Sequence, residues 1–112
     1  MTGSMMPTKD RSLLPRRPLK PTEVVSRLAT AIGWMLSGDG EDVAIEKTYA
    51  FANYHETMSF VNAVAFIANT QDHHPDLSVH YNRCVVRFNT HAVKGLSETD
   101  FDCASLVDAL LA

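Results

Sequence analysis

The sequence predicts an α+β fold, a four-stranded antiparallel sheet with three helices packed on one face, in the order α-β-β-α-β-β-α. Three observations carry this. Residues 34–51 and 77–88 each hold two short alternating runs separated by a turn signal, the pattern of a hairpin. Three other stretches, placed before, between and after these hairpins, repeat their apolar residues at the helical period. The 112 residues, 46% hydrophobic and 21% charged, are enough for one core and too few for two.

The first 20 residues stand outside this pattern. Lys9, Arg11, Arg16, Arg17 and Lys20 face one acid, Asp10, and Pro7, Pro15, Pro18 and then Pro21 interrupt any helix. Residues 1–20 therefore read as a flexible, basic, proline-rich tail, and residues 21–112 as a single domain. The first helix starts at Pro21-Thr22-Glu23, with Thr22 as N-cap and Glu23 near the positive end. Val24, Val25, Leu28, Ala31 and Ile32 form its apolar face, and Gly33 stands at C′. Trp34, Met35 and Leu36 make a short strand, and Ser37-Gly38-Asp39-Gly40 a turn. Val43, Ile45, Tyr49 and Phe51 then alternate as a half-buried strand.

The next helix runs from about His55 to Gln71. Phe60, Val61, Val64, Ala65, Ile67 and Ala68 form a stripe wide enough to bury it over much of its circumference. It stops at His74-Pro75, since proline disfavours helix in the residue before it. Leu77, Val79 and Tyr81, then Cys84, Val86 and Phe88, make the second hairpin around Asn82-Arg83. Ser97-Glu98-Thr99-Asp100 reads as a capping box with Asp in place of Glu. Behind it Cys103, Leu106, Val107 and Leu110 keep the spacing of an amphipathic helix.

Several functions are disfavoured by composition. Beyond residue 20, five Lys and Arg face twelve Asp and Glu, so the domain is acidic and lacks the basic face that direct nucleic-acid contact needs. No run approaches the roughly 18 apolar residues of a membrane span. The amino terminus has no continuous apolar core of a secretory signal, and its prolines break the helix of a transit peptide. Cys84 and Cys103 lack metal-site spacing and read as free thiols of a reducing, cytoplasmic compartment.

Five histidines carry the chemistry: His55, His73, His74, His80 and His91. The arms of the second hairpin are nearly equal, so its two base ends lie on neighbouring strands, roughly 5 Å apart. That brings His91 to His73 and His74, and leaves His80 and His55 elsewhere. Three readings stand for such a cluster. Zinc could be held by three histidines, although adjacent side chains in His73-His74 diverge. The imidazoles could serve loop structure alone. Or they could exchange protons near neutral pH, as general acid and base. The last is favoured, because phosphate loops, serine elbows and Cys-His nucleophile pairs are all missing from the sequence.

The run Asp72-His73-His74-Pro75-Asp76, followed by Tyr81-Asn82, Thr90-His91, Gly95-Leu96-Ser97 and Asp100, resembles the pterin-4a-carbinolamine dehydratase family. The likeness extends upstream through Trp34, Tyr49-Ala50-Phe51 and Met58-Ser59-Phe60-Val61-Asn62, covering about residues 22–111. The resemblance implies dehydration of 4a-hydroxytetrahydrobiopterin to quinonoid dihydropterin, in the recycling of the tetrahydropterin that an aromatic amino-acid hydroxylase uses. It implies His73 and His91 as the acid–base pair, His74 as a substrate-binding residue and Asp100 as the supporting carboxylate, with neither metal nor cofactor. Asp100 also reads as the N3 residue of the capping box. Thr90 and Pro75 would support the site, Pro75 by fixing the loop. Asn69 stands one turn before His73, where mammalian members carry glutamate, and Leu77 where many members carry tryptophan. The family's homodimers and homotetramers are the expected assembly. Two alternatives share the fold: a dimerisation cofactor for a protein partner, and a related pterin activity in folate or molybdopterin metabolism.

Overall fold

The computed structural model describes residues 16–112. In chain order the elements are α1 (Pro21–Thr30), β1 (Met35–Ser37), β2 (Ala44–Ala50), α2 (Tyr54–Gln71), β3 (Asp76–Val79), β4 (Arg83–Phe88) and α3 (Glu98–Ala109), with 3-10 turns at Gly40–Asp42 and His91–Val93. The predicted order is therefore the observed one. The strands lie β1-β2-β4-β3, all antiparallel, so the two hairpins join through β2 and β4.

Register decides which side chains meet the helices. Ile45 lies opposite Phe88, Tyr49 opposite Cys84 and Leu77 opposite Val86, so all six share one face. That face packs on Phe60 and Val64 of α2 and on Phe101, Cys103 and Val107 of α3. Glu46 opposite Arg87 and Thr48 opposite Val85 occupy the other face. Trp34, just before β1, seats its ring 6.0 Å from Phe88 and edge-on to Tyr49 at 6.4 Å. A polar hub fastens α3 over the sheet: Asp108 accepts from Trp34 Nε1 at 3.0 Å, from Lys47 Nζ at 2.8 Å and from the Tyr49 hydroxyl. Burial raises the Asp108 carboxyl, but the bonds from Lys47, Tyr49 and Trp34 outweigh it and hold the group below its usual range. Burial, and then the bond to Asp108, push the Tyr49 phenol far above its ordinary value.

The helix limits and faces depart from expectation in instructive ways. In α1, Pro21 is the first helical residue and Lys20 the cap position, with Glu23 accepting from Lys20 N–H at 2.9 Å. Thr22 is therefore not the N-cap; proline at N1 moves the start back because its missing N–H would have no partner there anyway. Val25 and Ile32, placed on the apolar face, are 68% and 79% exposed. Ile32 falls beyond the end of the helix, and only Val24, Leu28 and Ala31 reach the core.

The α2 helix buries a narrow stripe, Thr57, Phe60, Val64 and Ala68, while Ala65 and Phe66 are exposed. It ends at Gln71, the residue expected, but the device that stops it is not Pro75. Asp72 turns left-handed there (φ 50°, ψ 44°), and His73 N–H donates to Ala68 O at 3.1 Å, closing the helix in a Schellman-type turn. In α3 the buried face is centred on Asp100, Cys103, Ala104 and Val107, which leaves Leu106 and Leu110 at its margin.

The boundary expected at residue 20 also moves. Leu19 packs on the core and its N–H donates to Leu96 O at 2.8 Å. Arg17 makes a paired bond to Glu23, which with the Lys20 N–H holds that carboxyl down to about 2. Arg16 Nη2 donates to Asp72 O at 3.2 Å. Residues 16–20 thus belong with the fold, and residues 1–15 of the expected tail lie outside the described residues. Cys84 and Cys103 are buried and not joined in a disulfide, and burial raises the Cys84 thiol. Among the described residues no helix is long and apolar enough to cross a membrane.

Candidate active site

The left-handed residue at the end of α2 swings the chain off the helix path, and His73 is the first residue after it. Its ring lies nearly parallel to Phe88 of β4, centroids 5.9 Å apart, and is 6% exposed. On the sheet, Asp76 opposite Arg87 brings the residues just before β3 beside those just after β4. His73-His74-Pro75 and Asn89-Thr90-His91 are those residues. Thr90 N–H then donates to Gly95 O at 2.9 Å, so the intervening 3-10 turn loops His91 outward and returns the chain to α3.

Behind this loop sits Asp100, fully buried at the third position of α3. Its Oδ2 accepts from Ser97 N–H at 2.9 Å and from the Thr90 hydroxyl at 2.7 Å. Its Oδ1 lies 2.7 Å from His73 Nε2. The Ser97 hydroxyl bonds the Thr90 hydroxyl at 2.7 Å. The helix start predicted from Ser97 to Asp100 therefore exists, and its acid carries a histidine as well as a cap.

In front of His73 opens a cavity of about 240 Å³, lined by Arg16, Asp72, His73, His74, Asn89, Thr90, His91 and Ala92. It gathers His73, His74, His91 and Thr90, while Asp100 supports the cavity from behind His73. Pro75 and Leu77 are not among the lining residues; Leu77 packs on the core from β3. Asn69 is exposed on the last turn of α2 and also off the cavity wall. Its expected one-turn relation to His73 fails because the helix has already ended at Gln71. His80 Nε2 bonds the Ser78 hydroxyl at 2.9 Å, and His55 lines an apolar groove with Leu110 and Leu111.

Among the described residues no three His, Cys, Asp or Glu are grouped so as to hold a metal ion. His73 Nε2 is engaged by Asp100, the arrangement that orients an imidazole and leaves its second nitrogen for proton exchange. Sequence reasoning missed Arg16 and Asn89. Arg16 lies 56 residues from the carbonyl that it holds, in a stretch composition assigns to a tail. Asn89 could have been found as the first residue past the alternation of β4.

The sequence profile described as pterin 4 alpha carbinolamine dehydratase matches residues 17–110. A protein of Paracidovorax citrulli named "Putative pterin-4-alpha-carbinolamine dehydratase" is 70% identical over 111 residues, 99% of this chain and 96% of its own length. One of the same name from Chromobacterium violaceum is 54% identical over 93 residues, 83% of this chain and 82% of its own. A crystal structure from Brucella melitensis, described as a transcriptional coactivator/pterin dehydratase, superposes with a TM-score of 0.79 at 28% identity, covering 86% of this chain and all of that one. A profile that spans nearly every described residue, and a relative matched almost end to end, leave one assignment: this chain belongs to the pterin-4a-carbinolamine dehydratase family.

Proposed function

We propose that the cavity dehydrates 4a-hydroxytetrahydropterin, with the protons moved by histidine. The observation that carries the reading is the 2.7 Å bond between buried Asp100 and His73 at the wall of a cavity that also holds His74 and His91. In the reaction the C4a–O bond breaks and the hydroxyl leaves as water. The electron pair of the N5–H bond becomes the second bond of C4a=N5, and the N5 proton passes to a base. One proton is taken up by the departing hydroxyl and one is given up at N5, so neither electrons nor protons change in sum. An acid and a base placed about one ring are all the chemistry requires.

With the carboxylate as acceptor, His73 carries its proton on Nε2 and offers the lone pair of Nδ1. Asp100 fixes that tautomer and stabilises the imidazolium when the ring takes a proton, as an orienting carboxylate does in a hydrolase triad. His91, exposed on its turn, is the partner that exchanges the second proton, and His74 holds the substrate. Within the family the substrate class is a pterin; tetrahydrobiopterin recycling in the cytoplasm, by a homodimer or homotetramer, is the setting we assign.

The test is direct. The carbinolamine is generated in solution and its loss of water followed by ultraviolet absorbance, with and without the protein. Acceleration that saturates with substrate is the expected result. A rate equal to the spontaneous one overturns the assignment and favours a binding role on the same fold.

A further inference from the structure

Two buried polar side-chain atoms among the described residues have no hydrogen-bond partner, Arg16 Nε and Asn89 Oδ1, and both residues line the histidine cavity. One is a donor and the other an acceptor. Each is held by its remaining atoms. Arg16 Nη2 donates to Asp72 O at 3.2 Å, and Asn89 Nδ2 donates to Val43 O at 2.5 Å and Glu41 O at 3.3 Å. Asn89 is 7% exposed. A buried donor or acceptor left bare is costly, so two such atoms on residues that line one cavity point to a ligand that would satisfy them.

From this pair we infer that Arg16, supplied by the segment ahead of α1, is a positioning residue that grips the lactam edge of the pterin. The inference rests on the pterin reading above. A lactam presents a carbonyl oxygen beside a ring N–H. The Arg16 Nε–H suits the oxygen at C4, and Asn89 Oδ1 suits the N–H at N3. A guanidinium is the natural choice for the oxygen, because it is planar, permanently charged and already tethered through a second nitrogen. Holding this edge would set C4a, the ring-fusion atom next to C4, and its neighbour N5 at a constant place relative to His73 and His91.

The experiment compares two unreactive ligands by calorimetry: 6-methylpterin, with oxygen at C4, and 2,4-diamino-6-methylpteridine, with an amino group there. The wild-type chain should favour the pterin, since a donor at C4 faces a donor on Arg16. Arg16→Met should weaken the pterin by about 10-fold, the worth of one buried hydrogen bond to a charged group, and leave the diamino compound unchanged. Arg16→Lys, which keeps a cation but not the Nε–H, should show the same selective loss and stands in if the methionine variant fails to fold. Equal weakening of both ligands would reduce Arg16 to a strap that steadies Asp72, and no weakening would remove it from the site; either overturns the inference alone. A wild-type chain that binds neither compound would overturn the pterin reading itself.

Discussion

Asp100 joins a helix start to an imidazole, and the two duties come apart on substitution. Asp100→Asn retains a side-chain oxygen to accept from Ser97 N–H, but loses the charge that steadies a protonated His73. It should fold with a near-normal melting temperature and lower kcat by about 10-fold or more. Asp100→Ala removes the cap as well and should cost an additional ~1–2 kcal/mol in denaturant titration. The histidines divide differently. If His73 and His91 move protons, alanine at either should lower kcat by roughly 10²-fold, a value at the foot of the usual range because the reaction also runs spontaneously. His74→Ala should raise KM and spare kcat, the mark of lost ground-state binding. Equal, small effects at all three positions, with unchanged circular dichroism, would return the cluster to a role in loop structure. Dialysis against a chelator should leave the rate as it was, and zinc-restored activity would contradict that.

Among the elements, the turn at Asp72 matters most. It stops α2, releases His73 from the helix path, and offers its carbonyl to Arg16. This conformation costs an L-residue roughly 1–2 kcal/mol, is tolerated by aspartate and is worst for residues branched at Cβ, whereas glycine adopts it freely. Asp72→Ile should therefore lower stability by about that amount and slow the reaction by displacing His73, while Asp72→Gly should preserve both. The turn also shows where sequence reading places a boundary without finding its cause. Alternation reveals β2, β3 and β4, and the 3.6 period reveals all three helices, because burial imposes those patterns directly. The end of α2 is different. Pro75 is a visible stop signal, but Asp72 halts the helix first, and an aspartate in a left-handed turn looks like any other aspartate. The face of α3 was misjudged for a related reason. Leu106 and Leu110 outrank Ala104 and Thr99 in hydrophobicity, yet the capping of Asp100 onto His73 rotates the smaller residues inward. The gathering of His73, His74 and His91 was legible, since equal hairpin arms dictate it; Arg16 was not, since no local pattern records a contact across 56 residues.

At the scale of the whole molecule, the Asp108 hub joins the start of the sheet to the end of the chain, and its titration sets two flanks of stability. The carboxyl is held below its ordinary 3.8, so its contribution is complete above that pH and fades as pH falls through the lower folded value. The Tyr49 phenol is raised above its ordinary 10.0, so its contribution is complete below pH 10.0 and fades as pH rises further. Melting temperature against pH should therefore drop on both sides of a broad plateau. Asp108→Asn should diminish the acid limb and Tyr49→Phe the alkaline one. The amino-terminal segment is tested at the same scale. A chain that starts at Arg16 retains every contact described for the segment. One that starts at Pro21 loses the Leu19 packing and its bond to Leu96, and should be less stable by about 1–2 kcal/mol in urea titration.

The shared carboxylate has a consequence for divergence. A duplicated copy released from dehydration would still need an acceptor at the third residue of α3, so selection on folding alone would retain Asp100. His91 is exposed, and its ring takes no part in that helix start, so nothing in the fold would protect it. Among descendants of such a duplication, Asp100 would thus be a poor witness to activity, and loss of His91 beside an intact Asp100 would date the moment at which the lineage kept the scaffold and surrendered its chemistry.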